Sequence, residues 1–142
     1  MLIEESIIIH ALSPKVWDTF TDITCWKDWN TVLKNVSPKK KEVLTKGGKV
    51  RFCFCPCSFP DYFRPLIEKV VPLKKIVCSS GVYGIPARHE SLFEEVKDGM
   101  LITSRERFKG FPIRALRFLL PEWRLRDLTV AFLKDLKKAA EI

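Results

Sequence analysis

One long amphipathic helix closes this chain, and everything before it must supply the face that the helix buries. Leu125, Leu128, Phe132, Leu136 and Ala139 recur at intervals of three and four, with Lys134, Asp135, Lys137 and Lys138 largely off that stripe. From Pro121 to about Ala140 such a helix runs roughly 30 Å at 1.5 Å per residue, long enough to cross a whole sheet. Pro121 suits its first turn, or kinks a longer helix that begins near Phe111.

The chain ahead of the helix supplies strands. "LIEESIIIHA" is rich in β-branched residues and reads as strand one. Ser13 then serves as N-cap with Pro14 at the first helical position, and Val16, Trp17, Phe20 and Ile23 fall at helical spacing. "ITCWKDWN" adds a second helical turn or lid. From about residue 31 the pattern becomes "TVLKNV", "GGKVRFCFCP" after the Gly47-Gly48 turn, "YFRPLIEKVV" ending at Pro72, "KKIVCSSG", "RHESLFEEV" and "MLITSRERF" after the Asp98-Gly99 turn. The expected architecture is α+β: one antiparallel sheet of about seven strands, ordered β-α-α-β6-α, wrapped on the C-terminal helix. A sheet of that length twists and curls. A straight helix laid in its concave side does not fill the whole curve, so apolar residues on both surfaces border a gap.

With 142 residues and 46% hydrophobic side chains, the chain is sized for a single domain, 1–142, with its own core. Its start, "MLIEESIIIHALSP", is acidic where a secretory leader is basic. No segment reaches the roughly 18 continuous apolar residues of a membrane span, so a cytoplasmic protein is expected. The net charge of +8 divides between "SPKKKEVLTKGGK", a solvated turn, and segment 109–126. There Arg114, Arg117, Arg124 and Arg126 alternate with large apolar residues, a pattern that can make weak contact with an anionic membrane surface. No nucleic-acid motif accompanies the charge, and no nucleic-acid partner is expected.

The five cysteines are expected to be reduced thiols. Cys53, Cys55 and Cys57 occupy alternate positions of "RFCFCPCSF", one strand face with neighbours roughly 6.6 Å apart, too far for adjacent members to bridge in the usual geometry. They lack the turn-spaced pairs of a zinc site, so they read as packing, with no metal and no cofactor expected. Phe52 and Phe54 point the other way and are assigned to the pocket wall.

Two strands carry the polar groups of interest. His89, Ser91 and Phe93 share one face of "RHESLFEEV", while Glu90 and Glu94 share the other with Leu92. Since charge prefers water, the histidine face turns inward. On "LITSRERF" the inward set is Ile102, Ser104, Glu106 and Phe108, with Arg105 and Arg107 outward. His89 and Glu106 are the acid–base candidates, and a structural hydrogen bond with a solvated rim carboxylate is the plainer alternative. His10 ends strand one and reads as exposed. Glu4-Glu5 and Glu94-Glu95 alternate faces and form no acid–base pair. No phosphate loop, nucleophile elbow or H-E-x-x-H is present.

"SPKVWDTFTDITCWKDWN" resembles the opening of the START-like (SRPBCC, helix-grip) superfamily. The matching residues are Pro14 and Val16-Trp17 after a strand ending in Ala11, then Asp22, Trp26 and Trp29-Asn30. "ARHESLFEEVKDGMLITSRERFKG" is similar to that superfamily's penultimate hairpin, and "FLKDLKKAAE" to its closing helix. Relatives include polyketide cyclases and dehydrases, pollen-allergen-like proteins and lipid-transfer domains. The alternating cysteines and Pro121 depart from the pattern. The resemblance implies a deep apolar cavity between sheet and helix but no one chemistry.

The expected function is therefore binding of a lipophilic small molecule, whether lipid, polyketide-like or aromatic, ahead of an enzymatic role. The assigned ligand contacts are Trp26, Trp29, Phe52, Phe54, His89, Ser91, Phe93, Ser104, Glu106, Phe108, Leu128, Phe132 and Leu136. The alternatives are a cyclase or dehydratase using His89 and Glu106, and membrane-surface lipid handling through 109–126.

Overall fold

The computed structural model of the protein describes residues 1–37, 45–48, 51–54, 61–82, 84–110, 117–118 and 121–142. In chain order the elements are β1 (Leu2–Ile9), α1 (Ser13–Thr21), a 3-10 turn (Ile23–Cys25), α2 (Trp26–Trp29), β2 (Lys34–Ser37), β3 (Arg51–Phe54), β4 (Asp61–Phe63), β5 (Leu66–Val71), β6 (Lys75–Val82), β7 (Ile85–Val96), β8 (Gly99–Phe108) and α3 (Glu122–Ala140).

The fold is α+β, with a correction to the sheet. Among the described residues the main antiparallel sheet has five strands in the order β1-β8-β7-β6-β5, not about seven, and β2-β3-β4 form a separate three-stranded sheet. The division falls within "YFRPLIEKVV", read above as one strand. Arg64-Pro65 breaks it, because Pro65 has no N–H to continue a ladder, and the chain passes from β4 in the small sheet to β5 in the large one. The outer edge of β5 is partly covered: Gly47 N–H donates to Ile67 O (2.8 Å) and Ile67 N–H to Gly48 O (2.9 Å).

The β7–β8 hairpin fixes the register that matters for function. Its two-residue loop, Lys97-Asp98, pairs Val96 with Gly99, and counting back pairs Phe93 with Ile102, Ser91 with Ser104 and His89 with Glu106. Asp98 takes the left-handed conformation (φ 66°), which Asp tolerates better than most residues. Gly99 has a different reason to be glycine. A Cβ there would stand 2.2 Å from the Ile9 carbonyl oxygen, where β1 ends against the turn.

Two local readings change at the helices. Val16 N–H donates to Leu12 O (3.1 Å), so the extended residue Leu12 caps α1 without a side-chain hydrogen bond, and Ser13 is already helical. Pro121 stands at the N-cap of α3, one position before the helix. The alternative of a longer helix beginning near Phe111 falls outside the described residues.

Packing divides the interior in two. One cluster gathers Ile9, Val16, Phe20, Phe93, Met100 and Ile102 around Leu133, Leu136 and Ala140 of the C-terminal half of α3. The other joins Ile3, Ile85, Ala87 and Phe108 to Leu125 at the beginning of α3. The helix phase is set by Leu125, Leu133, Leu136 and Ala140, while Leu128, Phe132 and Ala139 of the sequence-level stripe are half-buried. On the opposite sheet face, Arg105 bridges Glu4 (2.9 Å) and Glu90 (3.8 Å), a cross-strand row of alternating sign facing water.

Candidate functional site

The two apolar clusters part where the inner face of β7 and β8 turns polar. Along β7 the inward positions run Ile85, Ala87, His89, Ser91, Phe93; along β8 they run Phe108, Glu106, Ser104, Ile102, Met100. The apolar ends meet α3, and the four polar residues lie between them. Leucine and phenylalanine side chains gain nothing by desolvating such groups. A pocket of about 180 Å³ lies over them.

One cross-strand row of the sheet, Ile67, Cys78, His89, Glu106 and Ile3, crosses all five strands, and each member lines the pocket. The next row adds Ile76, Ser91 and Ser104, and the row on the other side adds Ser80 and Phe108. From above, α3 contributes Leu125, Leu128, Thr129, Phe132 and Leu133. Phe20 and Trp26 close one end. They are held in an aromatic cluster in which Trp26 lies 5.4 Å from Phe132 and 5.6 Å from Phe20 between ring centres, with the Trp26 Nε1–H donating to Phe20 O at 2.7 Å.

Val32 and Leu33 reach the pocket from the loop after α2 because Asn30 shapes that loop. Its Nδ2 donates to Trp26 O (3.0 Å) and Leu33 O (3.2 Å), and its Oδ1 accepts from the N–H groups of Val32 (3.0 Å) and Leu33 (2.6 Å). Thr31 adds two bonds, from its N–H and its hydroxyl, to Asp135 Oδ2 of α3, both 2.8 Å.

The polar floor is a connected unit. His89 Nδ1 lies 2.5 Å from Glu106 Oε2, and His89 Nε2 lies 3.1 Å from Ser91 Oγ and 3.3 Å from Ser104 Oγ. An ionised carboxylate only accepts, so the Nδ1 position carries the proton when Glu106 is charged. Nε2 then faces both hydroxyls and the pocket. Cys78, beside His89, has its thiol pushed up from 9.0 to about 12, first by burial and then by the negative charges of Glu106 and Glu68. It is a protonated, inert wall group.

Of the assigned contacts, the pocket is lined by Trp26, His89, Ser91, Ser104, Glu106, Phe108, Leu128 and Phe132. Trp29, Phe93 and Leu136 are not part of its lining. Trp29 packs behind Trp26 and Phe132, Phe93 is covered by Trp17 and Phe20, and Leu136 is fully buried in the core. The side chains of Phe52 and Phe54 lie outside the described residues, as do Cys55 and Cys57. Cys53 is buried. His10 is exposed, with its N–H donating to Glu141 Oε1. Sequence reasoning missed the contributions of β5, β6 and the loop after Asn30. The alternation Ile76, Cys78, Ser80 was the available signal for β6.

Among the described residues, no group of three or more His, Cys, Asp or Glu side chains is placed to hold a metal ion. No helix among them is long and apolar enough to cross a membrane. In segment 109–126, Arg126 is committed to Glu5 (3.1 Å) and Glu122 (2.8 Å), whereas Arg117, Phe118 and Trp123 are exposed and Arg114 lies outside the described residues.

No protein-family model matches the chain, and no curated protein matches it in sequence. Solved structures share its fold. The solution structure of KanY matches with a TM-score of 0.79 at 10% identity, over 100% of this chain and 98% of that one. TTHA0849 from Thermus thermophilus matches with a TM-score of 0.78 at 14% identity, over 99% and 97%. DynU16, a protein in the dynemicin biosynthetic locus, matches with a TM-score of 0.71 at 16% identity, over 96% of this chain; the chain spans 46% of DynU16's own length. At such identities the likeness shows a common fold and nothing of chemistry.

Proposed function

We propose that the protein binds a compact lipophilic molecule in the pocket between the five-stranded sheet and α3. The observation that carries this reading is the polar interval His89, Ser91, Ser104 and Glu106, which parts two apolar clusters and leaves about 180 Å³ beneath the helix. Most of the wall is hydrocarbon and aromatic, with a few convergent polar groups on one side, which is the usual composition of a small-molecule site. The volume is below the roughly 300–1,000 Å³ of typical drug-sized pockets and near the roughly 150 Å³ that accepts a benzene ring. That favours a one- or two-ring or short-chain molecule over a two-chain lipid. The resemblance to START-like proteins supports a cavity between sheet and helix, and the fold shared with DynU16 and KanY is consistent with that architecture.

Native mass spectrometry and titration with a small fluorescent lipophile test it. One equivalent should bind, and Leu128→Trp, which pushes an indole into the pocket, should abolish binding without lowering the melting temperature. Absence of binding, or binding indifferent to Leu128→Trp, counts against the proposal.

The 2.5 Å His89–Glu106 contact favours a second reading, a cyclase- or dehydratase-type enzyme. The carboxylate would orient the imidazole, leaving Nε2 to take a proton from a bound substrate. β7 and β8 are interior strands whose backbone N–H groups serve the ladders on both sides, so they offer little to stabilise a developing oxyanion. This reading therefore ranks second. Contact of segment 109–126 with an anionic membrane is a subsidiary proposal resting on exposed Arg117, Phe118 and Trp123; failure to pellet with anionic vesicles at low salt removes it.

A further inference from the structure

We infer that the pocket selects ligands with an uncharged hydroxyl or carbonyl oxygen and rejects carboxylates, seating that oxygen at His89 Nε2 between Ser91 and Ser104. The inference rests on the reading of the pocket as a ligand site and adds the chemistry of the group recognised.

Charge supplies the first argument. The pocket lining contains one carboxylate, Glu106, and one imidazole, His89, and no lysine or arginine among the described residues. The net charge of this floor is therefore negative with neutral imidazole and zero with imidazolium. In neither state does a cation remain to pair a ligand carboxylate, since any positive charge on His89 is already held 2.5 Å from Glu106. Beside Glu106 the Cys78 thiol is pushed up, first by burial and only then by the negative charges of Glu106 and Glu68. A second anion brought onto this wall meets the same repulsion under an apolar roof, where charges interact more strongly than in water.

Hydrogen-bond capacity supplies the second. With the Nδ1 proton directed to Glu106, Nε2 has one lone pair and two hydroxyls facing it, at 3.1 and 3.3 Å. One hydroxyl proton satisfies it, and the other is left to point into the pocket. A ligand hydroxyl or carbonyl accepts that proton. A hydroxyl can also replace one serine as the donor to Nε2. An apolar ligand leaves the surplus donor unused, and a carboxylate pairs with it only against the Glu106 charge. The floor thus fits a single neutral oxygen at the end of a hydrocarbon or aromatic body.

The test compares naphthalene, 2-naphthol and 2-naphthoate at neutral pH by calorimetric titration, three molecules of one ring system that differ in head group. Wild-type protein should bind 2-naphthol best and 2-naphthoate at least about tenfold more weakly. In Glu106→Gln that gap should narrow severalfold. In the Ser91→Ala/Ser104→Ala double variant, His89 Nε2 loses both serine donors and the ligand hydroxyl takes their place, so 2-naphthol should keep or widen its lead over naphthalene. Equal binding of 2-naphthol and 2-naphthoate by the wild-type protein overturns the inference, and this comparison needs no variant to fold. If naphthalene binds while 2-naphthol gains nothing over it, the inference fails and the pocket stands. If none of the three binds, the pocket reading itself fails and this selectivity with it.

Discussion

His89 and Glu106 stand directly opposite each other on β7 and β8, and one inward step along both strands brings Ser91 opposite Ser104. Four polar side chains thus occupy a rectangle on the inner face of the sheet, flanked by apolar residues and by Ser80 of β6, beneath a helix that packs on either side of it. Their arrangement costs packing area that Ile or Leu at the same positions would recover. The proposed ligand supplies the missing contacts.

Replacing that rectangle's His89–Glu106 pair should stabilise the empty protein. The His89–Glu106 pair is partly solvated, with 34% and 23% of the side chains exposed, so its own contribution is small. His89→Leu with Glu106→Leu joins the two core clusters and should be neutral to stabilising by about 1–4 kcal/mol in chemical denaturation, with the discrimination against a carboxylate-bearing ligand lost. A large loss of stability would show that the pair is structural and not a binding feature.

Asn30 should be worth far more than its position after a four-residue helix suggests. Its side chain makes four hydrogen bonds and is only 8% exposed. Asn30→Ala removes the partner that holds the part-buried N–H groups of Val32 and Leu33 and the Leu33 carbonyl, while Trp26 O keeps the Asn30 backbone N–H, and should cost about 1–3 kcal/mol in urea unfolding. Asp135→Ala removes the two exposed bonds from Thr31 and should cost less, about 0.5–1 kcal/mol. Equal effects would contradict this ranking. Both variants should weaken ligand binding, since Val32 and Leu33 line the pocket.

Two turn positions should respond in opposite directions. Gly99→Ala drives a Cβ to 2.2 Å from Ile9 O, a backbone atom held by the β1–β8 ladder, and should destabilise by about 2 kcal/mol or more. Leu73 takes φ 63° in the β5–β6 turn, where its side chain is exposed. Leu73→Asn should stabilise by about 0.5–1 kcal/mol, because Asn tolerates the left-handed region. Thermal melts of the two variants decide both signs.

The Cys78 thiol gives a pH signature. Its folded pKa of about 12 exceeds the ordinary 9.0, so the folded state holds the proton more tightly than the unfolded chain. The associated stability is fully present below pH 9 and is lost as pH rises from 9 toward about 12. The stability of wild type relative to Cys78→Ala should be flat below pH 9 and decline above it. Alkylation of Cys78 at pH 8, followed by peptide mapping, should be much slower in native than in denatured protein. A native rate matching the denatured one would show that the thiol is not held in this environment.

Much of this site could be read from residue order because β strands alternate. Period two put His89 and Ser91 on one face and Ser104 and Glu106 on another, and the Asp98-Gly99 turn brought the two faces into one register. Helix phase was less legible. Leu128, Phe132 and Leu136 form a plausible stripe, yet Leu136 turns into the core while Leu125, Thr129 and Leu133 join the pocket, a rotation that depends on which sheet residues meet the helix. Phe93 shares the inward face of His89 but sits where Trp17 and Phe20 of α1 cover it, a tertiary fact with no local signal. The split at Arg64-Pro65 was available in the sequence as a proline inside an apparent strand. Asn30 was visible only as part of a resemblance, because its four partners are backbone groups of α2 and the adjoining loop.

The central claim is that a ligand enters the space between the sheet and α3, and isoleucine methyl groups report on it. Ile3, Ile67, Ile76 and Ile102 line the pocket, whereas Ile8 is exposed and Ile9 and Ile23 are buried elsewhere. In protein labelled at isoleucine methyls, NMR titration with 2-naphthol should move the first four resonances and give intermolecular contacts to them, leaving Ile8, Ile9 and Ile23 nearly unchanged. Contacts confined to Ile8 and other surface methyls, or no shifts at millimolar 2-naphthol, would contradict it.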